Sequence, residues 1–302
     1  MDRCTQTLAD KCVAALAALT EVSALVSHDK LNYNASFKNL VLSDPFISVE
    51  IDSPSSFSVF QLEGGMISSN SSAIASARVS DFLMGAIRVK RQYEDLEKMK
   101  LAGTGAAWLL VSSYYCAFYA CIEISKLFER IPMSFESDDL KMLSYKATGA
   151  DHAAFFESKN NNFVGHLRAG KIVFQSIGAK PHALAWDNIL IALKKVFEKK
   201  EWLEANKYQL LLSEAEYSPS KIRNTWNYKR SDYYGQYGDS FGVEFKKLIG
   251  NPSGAQAWLA RRAPHIQALD PCIVIVLCEF LAVAVINAAQ RTNIILQQRS
   301  GS

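Results

Sequence analysis

Apolar residues recur at three- and four-residue intervals along most of the chain, the spacing that lines one face of a helix. The first such run predicts a helix over residues 3–28, with Leu8, Cys12, Ala15, Leu16, Leu19, Val22 and Val26 on its inner face. A longer amphipathic pattern covers residues 72–100 and ends in the charged segment RVKRQYEDLEKMK, which reads as solvated helix. After Gly103 and Gly105, residues 107–130 are apolar nearly all the way round. A helix of that kind has to run through the middle of a bundle with neighbours on every side. Further helices are expected over residues 183–213, from Pro219 to about Tyr234, within DSFGVEFKKLIG, near 254–262 and over 271–297. Pro219 suits a first helical turn, and Asp270-Pro271 supplies the same starting signal for the last helix.

Two regions break this rhythm. Residues 38–67 contain the β-branched and aromatic runs FISVEI and FSVFQL, set off by Ser43-Asp44-Pro45, Ser53-Pro54-Ser55-Ser56 and Gly64-Gly65. Short runs between turn residues predict a small hairpin or meander. Residues 131–182 are punctuated by Gly149, Asn160-Asn161-Asn162, Gly165, Gly170 and Gly178, with one candidate strand, KIVFQSI. A stretch this long is no plain connection, so it reads as an irregular insertion with some structure of its own. The expected fold is mainly α: a helical bundle with a small N-terminal β element. Three consecutive segments are expected, residues 1–70, 71–240 (with the insertion at 131–182) and 241–302.

Composition narrows the class. The chain has 302 residues, 49% hydrophobic and 21% charged, values of a globular protein rather than a disordered one. The net charge of +3 is too small to mark a nucleic-acid protein by itself, because binding needs a local patch. Cys4, Cys12, Cys116, Cys121, Cys272 and Cys278 all lie in apolar helical stretches without a paired CxxC spacing. They read as reduced, buried thiols rather than zinc ligands. The opening MDRCTQTLADKC lacks a basic-then-apolar run, so no secretion signal is expected. Residues 272–289 are apolar enough to suggest a membrane span, but Glu279 lies at their centre. A buried core helix with a hydrogen-bonded Glu279 is the more economical reading. A cytoplasmic protein without a membrane anchor follows. His152, His166 and His182 are too widely spaced to define a metal site, and no phosphate loop, HExxH or dinucleotide fingerprint is present. No metal or cofactor is expected.

Two segments then stand together. The first, from Ser112, is SSYYCAFYACIEISKLFE, and the second is KIRNTWNYKR at residues 221–230. In the first, Ser113, Tyr114, Tyr115, Ala117, Phe118 and Ala120 resemble the Ser-Tyr-Tyr-Ala-Ala-Phe-like run on an inner helix of HEPN domains. In the second, Arg223 and Asn224 resemble the Arg-polar pair of the family's nuclease members. That pair is followed in the family by a His after four to six positions. Here the window holds Tyr228, Lys229 and Arg230, so the His is absent. The resemblance covers roughly residues 72–235. It implies a HEPN-like bundle and metal-independent RNA cleavage, in which a 2′-hydroxyl attacks the adjacent phosphate while Arg holds the charge and His moves a proton. It also implies pairing of two copies, and a place in a toxin or antiviral defence system.

The residues fit part of that chemistry. An Arg fork matches phosphate oxygens, so Arg223, Asn224 and Tyr228 are the candidate catalytic set. A phenol with an ordinary pKa of about 10 is a poor base at neutral pH, which predicts a weak or inactive ribonuclease. On a regular helix Asn227 aligns with Arg223 better than Tyr228 does. Asn227, Lys229, Arg230, Tyr233 and Tyr234 interleave cations and aromatics and are the candidate contacts for single-stranded RNA. The alternative for Arg223 is an ion pair with Glu214 or Glu216, with Trp226 and Tyr228 simply packed. Two functions remain open: an RNA-associated HEPN-like protein, or a non-catalytic helical scaffold that binds a protein partner. A homodimer or a heteromeric complex is expected in either case.

Overall fold

The computed structural model describes residues 2–23, 35–178, 181–200, 202–262 and 265–300. The helices are α1 (Arg3–Val22), α2 (Phe37–Ser43), α3 (Ser72–Leu101), α4 (Ala106–Leu127), α5 (Ser137–Lys146), α6 (His152–Glu157), α7 (Pro181–Phe197), α8 (Leu203–Ser213), α9 (Pro219–Asn224), α10 (Gln236–Phe241), α11 (Val243–Leu248), α12 (Pro252–Arg262) and α13 (Cys272–Ser300). The strands are β1 (Ile47–Ser53), β2 (Ser56–Glu63), β3 (Met66–Ser68), β4 (Ile131–Ser134), β5 (Asn162–Arg168) and β6 (Lys171–Ser176). The mainly α expectation therefore holds. The expected run of the first helix to residue 28 lies partly outside the described residues.

The chain forms two compact units, each built from separated stretches. The first gathers residues 1–12, 85–124 and 182–289; the second gathers 13–84, 125–181 and 290–302. Sequence order alone had suggested three consecutive segments.

The first unit is helical. Its interior holds Leu8 and Cys12 of α1, Leu110, Tyr114 and Cys121 of α4, Ile189 and Leu193 of α7, and Leu277, Leu281 and Val285 of α13. Tyr208 of α8 stacks on Phe280 of α13 with ring centroids 3.9 Å apart. Both α4 and the stretch Cys272–Gln298 are long and apolar enough to cross a membrane, yet 72% and 78% of their apolar windows are buried within the fold. Glu279 is enclosed too. Tyr93 Oη donates to its Oε2 at 2.6 Å and the Gly250 amide to its Oε1 at 2.9 Å. Burial pushes this carboxyl up to about 7, against the pull of those two bonds. All six cysteines are free and buried, and burial pushes the Cys12 thiol up to about 12.

Gly85 of α3 marks a second enclosed carboxylate. Any side chain there would place its Cβ 2.0 Å from Glu123 Cδ, so a larger residue requires the Glu123 carboxylate to move. Arg88 Nη2 reaches Glu123 Oε1 at 3.1 Å, and its guanidinium lies 3.8 Å from the Tyr119 ring centroid.

The second unit corrects the sequence reading. The small β element is not confined to the N-terminal region, and the insertion is not irregular. Strands from both regions form one antiparallel sheet in the order β1-β2-β6-β5-β4, with β3 also paired to β2. Residues Ser56–Val59 pair with Ile172–Gln175, which ties the first β region to the insertion. Alternation in β1 turns Ile47, Val49 and Ile51 into the core. Phe57 sits among Phe135, Phe155, Phe163 and Phe174 at centroid distances of 4.8–5.9 Å. Gly165 leaves space for one of these rings, since a Cβ there would meet Phe174 at 2.6 Å.

Candidate functional site

The site lies within the first unit, where the segments that carry the resemblance meet. On α4, Tyr114 is fully buried and Tyr115 half-buried. On α9, Ser218 caps the start by accepting from the Lys221 amide, and Pro219 occupies the first turn. This short helix turns Ile222 and Arg223 inward. The Arg223 guanidinium lies 5.0 Å from the Tyr114 ring centroid and 5.6 Å from that of Tyr115. Only 7% of Arg223 is exposed.

The helix expected from Pro219 to about Tyr234 does not continue as one α-helix. It loosens into a π-helical turn over Thr225–Lys229, closed by the Arg230 amide donating to the Thr225 carbonyl at 3.1 Å, and then tightens into a 3₁₀ turn over Ser231–Tyr234. Widening the ring to i→i+5 brings residues five apart onto one side. Arg223 Nη1 therefore reaches the Tyr228 hydroxyl at 3.4 Å, and the Tyr228 ring centroid lies 5.6 Å from the guanidinium. Asn227, expected to align with Arg223, instead accepts a bond from Tyr234 Oη at 2.6 Å. Asn224 is half-buried and makes no side-chain hydrogen bond to Arg223 or Tyr228 among the described residues.

No carboxylate pairs with Arg223 among the described residues, so the ion pair with Glu214 or Glu216 is absent there. Its Nε is buried without a hydrogen-bond partner. A buried cation without a counter-charge is costly; here ring faces supply the compensation, through the attraction of a cation to an aromatic quadrupole.

A histidine joins this group from another helix. Tyr114 Oη is 3.0 Å from His182 Nδ1 and 3.0 Å from Ser220 Oγ, and accepts from Trp186 Nε1 at 3.3 Å. The His182 ring stacks on Phe118 at 4.3 Å. Burial holds its pKa below the usual histidine range, and the Arg223 charge adds to that. Its Nδ1 faces the Tyr114 hydroxyl. Its place was not legible in the sequence: His182 looked like part of the insertion, and its distance from Arg223 along the chain gives no spacing signal.

The remaining candidates divide. Arg230 forms a two-pronged pair with Asp232 at 2.6 and 2.9 Å and covers the Tyr233 ring at 4.5 Å, so its charge is already matched. Tyr233 turns inward against Trp226, with ring centroids 4.3 Å apart, and is withdrawn from the surface. Lys229, Tyr228 and Tyr234 are exposed, and Tyr234 meets the exposed Trp108 edge-on at 5.6 Å. Comparison of the chain with family models, curated proteins and solved structures gave no match.

Proposed function

We propose that the first unit is a HEPN-like, RNA-associated module that seats a phosphate of single-stranded RNA at Arg223. The observation that carries this reading is the buried, carboxylate-free guanidinium caged by Tyr114, Tyr115 and Tyr228. An arriving phosphate supplies the missing counter-charge and an acceptor for donors that lack one. Lys229 and Tyr234 extend the contact along the strand. The reaction this arrangement suits is transesterification: the 2′-oxygen forms a bond to phosphorus, the bond to the 5′-oxygen breaks, and one proton passes from the first oxygen to the second. Tyr228 is placed to donate to a charged oxygen beside Arg223, not to abstract a proton, which fits a weak or conditional ribonuclease. Such a protein belongs in the cytoplasm, in a toxin or antiviral defence system, as a dimer or with a protein partner.

The test is binding of labelled single-stranded RNA followed by anisotropy across a salt series. Arg223→Gln is expected to weaken binding at least about tenfold, since a hydrogen bond to a charged group is worth about 1.5–3 kcal/mol. The salt slope falls by about 0.7 for one lost phosphate contact. A seated phosphate also offsets the charge that depresses His182, so the His182 pKa measured by NMR rises when RNA is bound. If cleavage is seen, Tyr228→Phe slows it with binding intact, and Tyr228→His raises it. A folded Arg223→Gln protein with unchanged binding removes the reading.

A second reading has its own support. Trp108, Tyr237, Phe241 and Val243 are each at least half exposed, and Tyr233, Tyr237 and Phe241 stack in series. Exposed aromatics of this kind suit a protein partner. Purification with a stoichiometric protein, and without nucleic acid at high salt, favours that scaffold role.

A further inference from the structure

Helices α3 and α4 of the first unit border a half-open cavity of about 330 Å³, lined by Gln92, Asp95, Met99, Ser112, Tyr115 and Tyr119. That volume lies in the range of small-molecule sites, roughly 300–1,000 Å³. Two of the walls are aromatic: the Tyr115 and Tyr119 rings stand 6.4 Å apart at an interplanar angle of 31°. Tyr119 is fixed from outside the cavity by Arg88. Planar walls at a shallow angle suit a flat, unsaturated ring.

The polar wall combines the Asp95 carboxylate, which only accepts, with the Gln92 amide and the hydroxyls of Ser112, Tyr115 and Tyr119. Among the described residues the Asp95 carboxylate receives one surface contact, from Lys98 at 3.1 Å, with both side chains more than half exposed. A pair like that is readily exchanged. A ligand edge that meets both oxygens of this carboxylate has to present two N–H donors side by side. Tyr115 is shared: its ring borders the cavity and also lies 5.6 Å from the Arg223 guanidinium.

We propose that this cavity receives a guanine base of the same RNA strand whose phosphate sits at Arg223, with the adjacent N1–H and N2–H donors meeting the two oxygens of the Asp95 carboxylate and the ring lying against Tyr115 and Tyr119. This rests on the phosphate reading above. Guanine alone among the common bases carries two neighbouring donors on its Watson–Crick edge. Uracil offers one donor flanked by two carbonyl oxygens, which the Asp95 carboxylate repels. Unstacked bases in single strands are read on that edge.

The experiment uses the full chain and uridine-tract RNA carrying one central uridine, guanosine, inosine or abasic position, with affinity read by anisotropy. Guanosine is expected to bind about tenfold more tightly than uridine, the discrimination of one well-placed pair of hydrogen bonds. Inosine, which lacks the N2 amine, should fall between them. Asp95→Ala, at an exposed helical position, brings the guanosine-to-uridine ratio close to one while the salt dependence set by Arg223 stays. Tyr119→Leu weakens guanosine and uridine strands towards the abasic one. Equal affinity for guanosine, uridine and abasic strands overturns the proposal even if Arg223→Gln still weakens binding, in which case the phosphate seat stands alone. Absence of any RNA binding removes both.

Discussion

Replacing Glu279 by Gln separates a buried charge from everything else that titrates. In the unfolded chain this carboxyl ionises near 4.5; in the fold, burial moves it to about 7. Below the lower value both states hold the proton, and the group's contribution to stability is fully present. Between the two, the unfolded chain gives up its proton while the folded one keeps it, so stability falls as pH rises and the loss is complete above the upper value. At 1.36 kcal/mol per pH unit, the separation is worth about 3 kcal/mol, of which about 2.5 kcal/mol falls between pH 5 and pH 8. Glu97 strengthens the effect and Lys100 weakens it. The amide introduced by Glu279→Gln cannot ionise, yet it can still accept from the Gly250 amide and bond with Tyr93. Urea unfolding followed by far-ultraviolet circular dichroism, run on both proteins at the two pH values, isolates the difference. Glu279→Gln is expected to gain about 2.5 kcal/mol relative to the parent on going from the lower to the higher pH. A difference that stays flat would falsify the assignment of a neutral carboxyl in the folded core.

Two further outcomes follow from geometry. Gly85→Ala forces a Cβ into the Glu123 carboxylate, which is fully buried and paired with Arg88. Overpacking at such a site costs about 1–3 kcal/mol, read as a lower urea midpoint, and a neutral result means that the helix shifts freely. Tyr114→Phe removes the hydroxyl shared by His182, Ser220 and Trp186 and leaves the Trp186 N–H without its acceptor. A loss of about 1–3 kcal/mol is expected, and a change below about 0.5 kcal/mol means that these groups find other partners.

Local patterns were legible in the sequence, and long-range meetings were not. The all-round apolar character of residues 107–130 and of the last helix marked both as core elements, and they are α4 and α13. Strand runs at FISVEI, FSVFQL and KIVFQSI were each visible as β1, β2 and β6. Their joining was not, because Val59 and Ile172 are paired by a register that nothing near either residue specifies. The π-helical turn was hidden for a different reason. A regular step of about 100° per residue separates Arg223 from Tyr228, and one widened turn is enough to reverse which neighbour Arg223 meets. His182 reached Tyr114 by tertiary packing alone. Tyr233 alternated with cations as an RNA-contacting residue would, yet its ring serves the packing around Trp226.

The outer edge of β1 is bridged at its middle by a single residue. Thr148 lies alongside it in parallel, its amide donating to the Val49 carbonyl and its carbonyl accepting from the Ile51 amide. At the opposite edge, β4 has only four residues and includes Pro132, which has no N–H to offer. A free strand edge is a template on which another chain can add itself. With one border bridged at its middle and the other short and interrupted, strand addition between copies meets an obstacle at both of these edges.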